Sequence, residues 1–127
     1  MGSHTPPSRH VVLVVEDEPL LLMMATDLVE EAGFEAVEAR SADQAVKILQ
    51  DRKDIRIVFT DIDMPGSMNG MRLAAMVRDR WPPIEIIIVS GHVKLGKDDM
   101  PARSVIYSKP YDAAKIAAQL HRMVSHL

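Results

Sequence analysis

The sequence predicts an α/β protein built on a doubly wound parallel sheet, with helices covering both faces. Strand-like runs alternate with segments of helical periodicity along the chain, which is the pattern of repeated βαβ units. The clearest runs, Val11–Val15 and residues 84–89, are apolar throughout, which is typical of strands buried on both faces. A parallel sheet with right-handed crossovers accounts for both features.

The first half of the chain predicts two strand-helix units. After the first strand, the spacing of apolar residues predicts a helix that ends at Gly33. Residues 34–38 are a weaker strand candidate, and Ser41 with Gln44 has the spacing of a capping box at the start of a second helix. The apolar stripe of the first helix is expected to contain Leu21, Met24, Ala25, Leu28 and Ala32.

The middle of the chain predicts two more strands with a helix between them. Residues 55–60 and 84–89 are the strands, because both runs are rich in β-branched residues. The helix is expected to begin after the Pro-Gly break at residues 65–66. It ends at the Trp-Pro-Pro sequence of residues 81–83, since proline cannot continue a helix.

The last part of the chain predicts a short fifth strand at residues 105–108 and a final helix. Asp112 is placed to cap that helix. Residues 93–103 contain Gly96 and Pro101 and fit a helix poorly. We therefore expect the fourth helix of the βα pattern to be short or irregular.

The composition excludes several classes of function. The 127 residues allow one domain, which we place at residues 10–127, after a disordered segment at residues 1–9 that is in part a tag remnant. The net charge of −3 argues against direct binding of nucleic acid, and the absence of cysteine excludes disulfides and thiolate metal sites. No apolar run is long enough to span a membrane, so we expect a cytoplasmic protein that does not bind membranes.

Charged and polar side chains follow four of the five predicted strands. They are Glu16 and Asp17 after the first strand, Asp61 after the third, Ser90 after the fourth and Lys109 after the fifth. Ligands of such sheets bind outside the carboxyl ends of the strands, so these side chains are expected to meet. Three carboxylates in one place raise one another's proton affinity unless a cation neutralises them.

A hard divalent cation is the natural partner for this group. Oxygen ligands without nearby histidine or cysteine favour Mg²⁺, which typically binds through one or two carboxylates and a phosphate. Lys109 adds a compact positive charge suited to a phosphoryl oxygen, and Ser90 adds a hydroxyl donor. Together these groups predict a site for a phosphoryl group carried on a carboxylate.

Five short motifs stand in order along the chain at these strand and helix ends. They are Glu16-Asp17, Asp61 with the following Met64-Pro65, Gly70, Ser90-Gly91 and Lys109-Pro110. In this order they resemble the receiver domain of the two-component response-regulator family, and the resemblance covers the chain from His10 to its C-terminus. It implies a five-stranded sheet of flavodoxin-like order 2-1-3-4-5 and a stand-alone receiver similar to the chemotaxis receivers.

The resemblance implies that Asp61 is the phosphoacceptor and that Mg²⁺ is the cofactor. Asp17 would bind the metal directly together with Asp61, and Glu16 would act mainly through metal-bound water. The backbone carbonyl of Asp63 would complete the coordination. This assignment agrees with the physics of phosphoryl transfer, in which a metal and an ammonium stabilise the charge that spreads over the phosphoryl oxygens.

Two further side chains are expected to contact the phosphoryl group. The resemblance implies that Ser90 bonds one of its oxygens and that Lys109 bridges it to the phosphoacceptor, with a cis peptide bond between Lys109 and the proline that follows. Asp63, Met64 and His92 occupy the positions that would modulate how long the phosphoryl group survives.

The sequence departs from the receiver pattern at three places. The first is the span from Ser90 to Lys109, which is shorter than usual in the family. The loop at residues 66–69 is about one residue longer than in a typical receiver. The switch aromatic of the family usually stands three residues before the lysine, where this chain has Ile106. Tyr107 is adjacent, but the strand period points it to the opposite face. Ile106 and Tyr107 are therefore both candidates for the switch.

The resemblance also implies partners. A histidine kinase or a phosphotransfer protein would supply the phosphoryl group, a downstream protein would receive the signal, and a homodimer is compatible with the family. Two other functions stay open: a haloacid-dehalogenase-like phosphatase, because Asp61 and Asp63 reproduce its paired aspartates, and a receiver-like interaction module without phosphorylation. The costly cluster of charges argues against the second.

Overall fold

The computed structural model describes residues 10–64, 69–91 and 101–125. Within these ranges, five strands and four helices follow one another along the chain. Each predicted strand is present, and its ends differ from the prediction by one residue at most. The elements are β1 Val11–Val15, α1 Pro19–Glu31, β2 Glu35–Ala39, α2 Ala42–Asp51, β3 Ile55–Asp61, α3 Gly70–Arg80, β4 Glu85–Ser90, β5 Ser104–Ser108 and α4 Ala113–Val124.

The five strands form one parallel sheet in the order β2-β1-β3-β4-β5. This confirms the predicted flavodoxin-like order. The connections run in opposite directions from β1, to β2 on one side and to β3 on the other. A crevice therefore opens beyond the carboxyl ends of β1 and β3, and this is where ligands bind in doubly wound sheets.

Each face of the sheet carries its own apolar cluster, so the core has three layers. α2 and α3 pack on one face, and α1 and α4 pack on the other. Successive residues of β1 point to opposite faces, with Leu13 in the first cluster and Val12 and Val14 in the second. Burial on both sides explains why the three central strands, β1, β3 and β4, lack the polar alternation of a half-exposed sheet.

The predicted apolar stripe of α1 is partly wrong. Leu22, Ala25 and Val29 are buried, whereas Leu21 and Met24 are 39% and 54% exposed. Leucine and methionine occupy every position from residue 20 to residue 24, so periodicity could not decide which side of the first turns faces the sheet. The packing of the helix on β1 decided it.

The predicted helix ends are confirmed. Gly33 follows α1 with a φ of 97°, a left-handed conformation that glycine adopts without steric cost. The Ser41 hydroxyl accepts a hydrogen bond from the Gln44 N–H at 3.0 Å, and the Gln44 side chain accepts one from the Arg40 N–H at 2.6 Å. Asp112 caps α4 by accepting a bond of 2.8 Å from the N–H two residues on.

Some of the predictions fall outside the described residues. They include the disorder of residues 1–9, the extended loop as far as residue 68, and most of the weakly helical segment at residues 93–103. The described end of that segment forms a turn before β5, in which Arg103 has a φ of 59°.

No helix in the described parts of the chain has the length and apolar character needed to cross a membrane.

The guanidinium of Arg78 joins three parts of the fold, a contact that the sequence did not predict. It donates to the carbonyl of Ala102 at 2.6 Å and to that of Ile84 at 2.8 Å. It also donates to the carbonyls of Pro82 and Arg103. One side chain of α3 therefore holds the segments that lead into β4 and β5.

We predict that Arg78→Gln destabilises the protein by about 2 kcal/mol, because it removes charged donors from several backbone carbonyls at once. Urea denaturation followed by circular dichroism measures the change. Arg72→Gln, at an exposed position of the same helix, is the matched control and is expected to stay within about 0.5 kcal/mol of the parent. Equal effects of the two substitutions would contradict the role given to Arg78.

Candidate functional site

Four strand ends deliver polar side chains to the carboxyl edge of the sheet. Glu16 follows β1, Asp61 ends β3, Ser90 ends β4, and Lys109 follows β5. The first three are only 6%, 4% and 3% exposed, and the Lys109 side chain is 27% exposed. The sheet order brings these four predicted residues together because β1, β3, β4 and β5 are neighbours.

Both oxygens of the Asp61 carboxylate accept hydrogen bonds. The ammonium of Lys109 donates to Oδ2 at 2.5 Å, and the backbone N–H of Asp63 donates to Oδ1 at 3.0 Å. Burial acts to lower the pKa of Lys109, but the hydrogen bond and charge of Asp61 and the charge of Glu16 outweigh it. The pKa of Lys109 is therefore raised, and the amine stays protonated at neutral pH.

Glu16 is the second buried acid of the site. Its pKa is raised from 4.5 to about 7, mainly by burial and further by the charge of Asp61. The N–H of Glu18, which donates to Glu16 Oε2 at 3.1 Å, and the charge of Lys109 act in the opposite direction. Lys109 Nζ lies 4.0 Å from Glu16 Oε1, so one ammonium serves two carboxylates. The site carries more negative charge than its own cation neutralises.

The remaining predicted metal residues contribute in different ways. Asp17 is half-buried beside Glu16 in the loop before α1. Asp63 has an exposed side chain and contacts the site through its backbone N–H. Within the described residues, no three acidic or histidine side chains are gathered closely enough to hold a metal by themselves.

The donor set nevertheless fits Mg²⁺. It consists of oxygen atoms only, and two buried carboxylates face a single ammonium. Mg²⁺ keeps several of its waters and needs only one or two carboxylates from the protein. The residues therefore suit a hydrated magnesium ion, whereas a closed all-protein site of the zinc type does not fit them.

The candidates for modulation and switching lie in different parts of the fold. Met64 is buried in the apolar cluster under α2 and α3, and His92 lies outside the described residues. Ile106 packs on that same face, whereas Tyr107 packs on the opposite face and its hydroxyl lies 3.4 Å from Gln119 Oε1. This opposite orientation agrees with the strand period. The predicted cis bond between Lys109 and Pro110 is confirmed.

Gly70 has a steric role that its place in the motif did not explain. It begins α3, and a Cβ atom added there would lie 2.0 Å from the backbone carbonyl oxygen of Asp61. Its N–H also donates to the carbonyl of Ile62 at 3.1 Å. The first turn of α3 therefore supports the peptide that carries Asp61, and only glycine allows this approach.

A cavity of about 630 Å³ lies next to the site, and the sequence analysis did not predict it. It lies between α1 and the start of α4, and its lining includes Met24, Phe59, Lys109 and Tyr111. The rings of Phe59 and Tyr111 meet edge to face at 5.8 Å, and burial raises the pKa of Tyr111. No sequence signal could have found this cavity, because its walls come from segments far apart in the chain.

A comparison with protein families identifies one match. The model of the response regulator receiver domain matches residues 12–121, which is most of the chain.

Several known proteins are similar to the chain. It is 26% identical over 122 residues to the nitrogen assimilation regulatory protein NtrX of Azorhizobium caulinodans, covering 93% of this chain and 27% of the relative. It is 30% identical to a putative NtrX-like response regulator of Rickettsia bellii, covering 87% and 24%. The chain thus spans about a quarter of the length of these relatives.

Solved structures show the same architecture. A response regulator receiver protein from Sinorhizobium medicae superposes with a TM-score of 0.84 at 25% identity, covering 92% of this chain and 95% of the other. A receiver protein from Pseudomonas putida gives a TM-score of 0.81 at 26% identity, covering 92% and 99%.

We predict that Gly70→Ala destabilises the protein by about 2 kcal/mol or more, because the added Cβ forces the Asp61 carbonyl or the start of α3 to move. Thermal and urea denaturation measure the loss. Gly91→Ala is the matched control, since its Cβ would lie 3.9 Å from Lys109 Cδ, an ordinary contact distance. A Gly70→Ala variant as stable as Gly91→Ala would contradict the steric role.

We predict that Glu16→Gln is more stable than the parent at pH 8 in the presence of EDTA, by about 1 kcal/mol after allowance for solvent screening. The pKa of Glu16 is raised to about 7 in the folded chain, so the folded state binds the proton more tightly than the unfolded state. The penalty for ionising Glu16 is absent below its unfolded pKa, grows between pH 4.5 and pH 7, and is complete above that.

Urea denaturation of both proteins from pH 5 to pH 8 tests this prediction. The stability difference should grow with pH across that range. Glu30→Gln, at an exposed position of α1, is the control and should show no such trend. A constant difference between Glu16→Gln and the parent across the range would refute the assignment.

Proposed function

Because the chain belongs to the response regulator receiver domain family, we propose that it accepts a phosphoryl group on the carboxylate of Asp61 and signals through a partner protein. Receiver domains are signalling domains of two-component systems, and they use Mg²⁺ in their phosphorylation. The assignment of roles to particular residues of this chain, and of partners to the whole protein, is our proposal.

The contact between Lys109 and Asp61 carries the proposal. A carboxylate that is 4% exposed, at the carboxyl edge of a parallel sheet, is held by an ammonium at 2.5 Å. Asp61 would attack the phosphorus atom of a phosphohistidine, forming a P–O bond as the P–N bond breaks. Lys109 is then within reach of both the acceptor oxygen and the incoming phosphoryl oxygens, whose charge it stabilises.

The acidic residues supply the second half of the mechanism. Asp17 and Asp61 would hold Mg²⁺ directly, Glu16 would act through its bound water, and the Asp63 carbonyl would complete the set. The metal would neutralise charge on the phosphoryl oxygens. The raised pKa of Glu16 supports this proposal. Burial is its main cause, and the charge of Asp61, which adds to the effect of burial, is the part that a nearby cation would offset.

Ser90 would bond a phosphoryl oxygen once Asp61 is modified, since it ends the strand beside that of Asp61. Ile106 and Tyr107 lie in the neighbouring strand β5, opposite Ile88 and Val89, and are the candidates for passing the change to the surface. The lifetime of the phosphoryl group, which ends when water attacks the acyl phosphate, would be modulated by Asp63, Met64 and His92.

The donor would be a histidine kinase or a phosphotransfer protein, and the recipient of the signal would be a downstream protein or a second copy of the chain. The protein would act in the cytoplasm, where such kinases present their phosphohistidine. Nothing in the family match favours the phosphatase or the non-phosphorylated module. In addition, Asp63 contacts Asp61 through its backbone N–H, whereas a phosphatase would use the Asp63 side chain as an acid.

We predict that incubation with Mg²⁺ and acetyl phosphate adds the mass of one phosphoryl group to the parent and none to Asp61→Asn. Intact-protein mass spectrometry measures the adduct, and EDTA should prevent it. Lys109→Ala should slow its formation roughly a hundredfold, since it removes the cation beside the acceptor oxygen.

Two controls accompany this experiment. Lys115→Ala, at an exposed position of α4, should behave as the parent does, and Asp63→Asn should still accept the phosphoryl group. An equal adduct on Asp61→Asn would refute the acceptor assignment. Sustained hydrolysis of small phosphate esters by the parent would favour the phosphatase instead.

A further inference from the structure

A second pocket, of about 350 Å³, lies at the amino edge of the sheet, opposite to the acidic site. β3 begins in this pocket at Ile55 and ends in the acidic site at Asp61, so the two places are roughly 20 Å apart. We call it the basic pocket. Four cationic side chains and the indole of Trp81 line it, and no acidic residue does; the cations are Arg52, Lys53, Arg56 and Arg80.

The positive charge of the basic pocket is largely unneutralised, although the chain as a whole has a net charge of −3. Lys53, Arg56 and Arg80 are exposed and form no salt bridge with any residue that the structure describes. Three free cations around one pocket create a positive potential, and a concave surface strengthens it. The pocket therefore attracts an anion.

Arg52 differs from the other three cations, because the protein itself occupies its guanidinium. It donates to Asp54 at 2.7 and 3.0 Å and lies 3.4 Å from Glu35. These contacts raise the pKa of Arg52 and fix its position, so that it forms a wall of the pocket. The ligand's negative charge must be bound by the remaining cations.

Helix ends and strand pairing explain the positions of only some of the four cations of the basic pocket. Arg80 lies in the last turn of α3, where a cation complements the helix dipole. Lys53 lies beyond the end of α2, and Arg56 lies at a bulge in β3. There β1 pairs Val11 with Ile55 and Val12 with Ile57, so Arg56 is skipped in the register. At the bulge, the Arg56 side chain turns out to the pocket. This position is explained neither by a helix dipole nor by strand pairing.

The apolar wall of the pocket is preformed. Trp81, Pro82 and Pro83 follow α3, and the N–H of Trp81 bonds back into the helix at 2.8 Å. The Ile84 N–H bonds to the Trp81 carbonyl at 3.0 Å, and Arg78 binds the carbonyls of Pro82 and Ile84. The indole is half-buried against the core and also lines the pocket. Because the indole is already held in place, little free energy is lost in ordering it when a ligand binds.

The combination of a flat aromatic wall with free guanidinium groups selects the ligand chemistry. An indole stacks on planar aromatic rings, and guanidinium groups bind phosphate oxygens in pairs. A pocket of this volume is at the small end of the range for small-molecule sites, larger than an inorganic anion needs. We propose that the basic pocket binds a nucleotide, with the base against Trp81 and the phosphates on Arg56 and Arg80.

The chain offers a direct readout, because Trp81 is its only tryptophan. ADP is titrated in the absence of Mg²⁺, with excitation at the red edge of the indole band, where adenine does not absorb. We expect saturable quenching by ADP. Adenosine, which lacks the charge, and pyrophosphate, which lacks the ring, should bind about tenfold more weakly or worse. Isothermal titration calorimetry provides the independent affinity.

Substitutions inside and outside the basic pocket test whether ADP binds there. Arg56→Gln combined with Arg80→Gln should weaken ADP binding about tenfold or more, while Arg72→Gln on the same helix and Asp61→Asn should bind as the parent does. Circular dichroism verifies the fold of each variant. No saturable response to ADP, equal binding of pyrophosphate, or unchanged affinity of the double variant would overturn the proposal. If a variant fails to fold, the affinities of the parent for ADP, adenosine and pyrophosphate still test the proposal.

Discussion

The contact between Lys109 and the buried carboxylate of Asp61 is the interaction on which the rest of the site depends. A carboxylate that is 4% exposed would be strongly destabilising without a cation beside it. Glu16 lies at the same place, where burial and, to a lesser degree, the charge of Asp61 raise its pKa, although the ammonium of Lys109 acts to lower it. Two carboxylates thus face one ammonium, an imbalance that the proposed divalent cation would relieve.

The sheet and α3 hold this charge cluster in place. β3 is buried on both faces between β1 and β4, so Asp61 cannot shift without disturbing two apolar clusters. Gly70 lets α3 begin directly against the Asp61 carbonyl, and the Asp63 N–H holds the second carboxylate oxygen. The carboxylate oxygens of Asp61 are therefore positioned by backbone atoms as well as by side chains, which is the preorganisation that the proposed phosphoryl transfer would require.

The acidic site and the basic pocket lie at opposite edges of the sheet. In a parallel sheet, every loop that follows a strand collects at one edge, and every loop that precedes a strand collects at the other. The first group supplies Glu16 and Asp61, and the second lies beside Lys53, Arg56 and Arg80. A chain of 127 residues can thus carry an acidic site and a basic pocket about 20 Å apart, because the strands themselves separate them.

The sequence by itself determined the fold class, the strands to within a residue, and the set of residues that meets at the carboxyl edge, because apolar runs and helix caps are local signals. Tertiary packing decided the rest. It chose Leu22 over Leu21 as the buried side of α1, placed Arg78 on four carbonyls, and gathered the basic pocket around Trp81. These features join segments distant in the chain, and their distances and burial arise only when the elements pack.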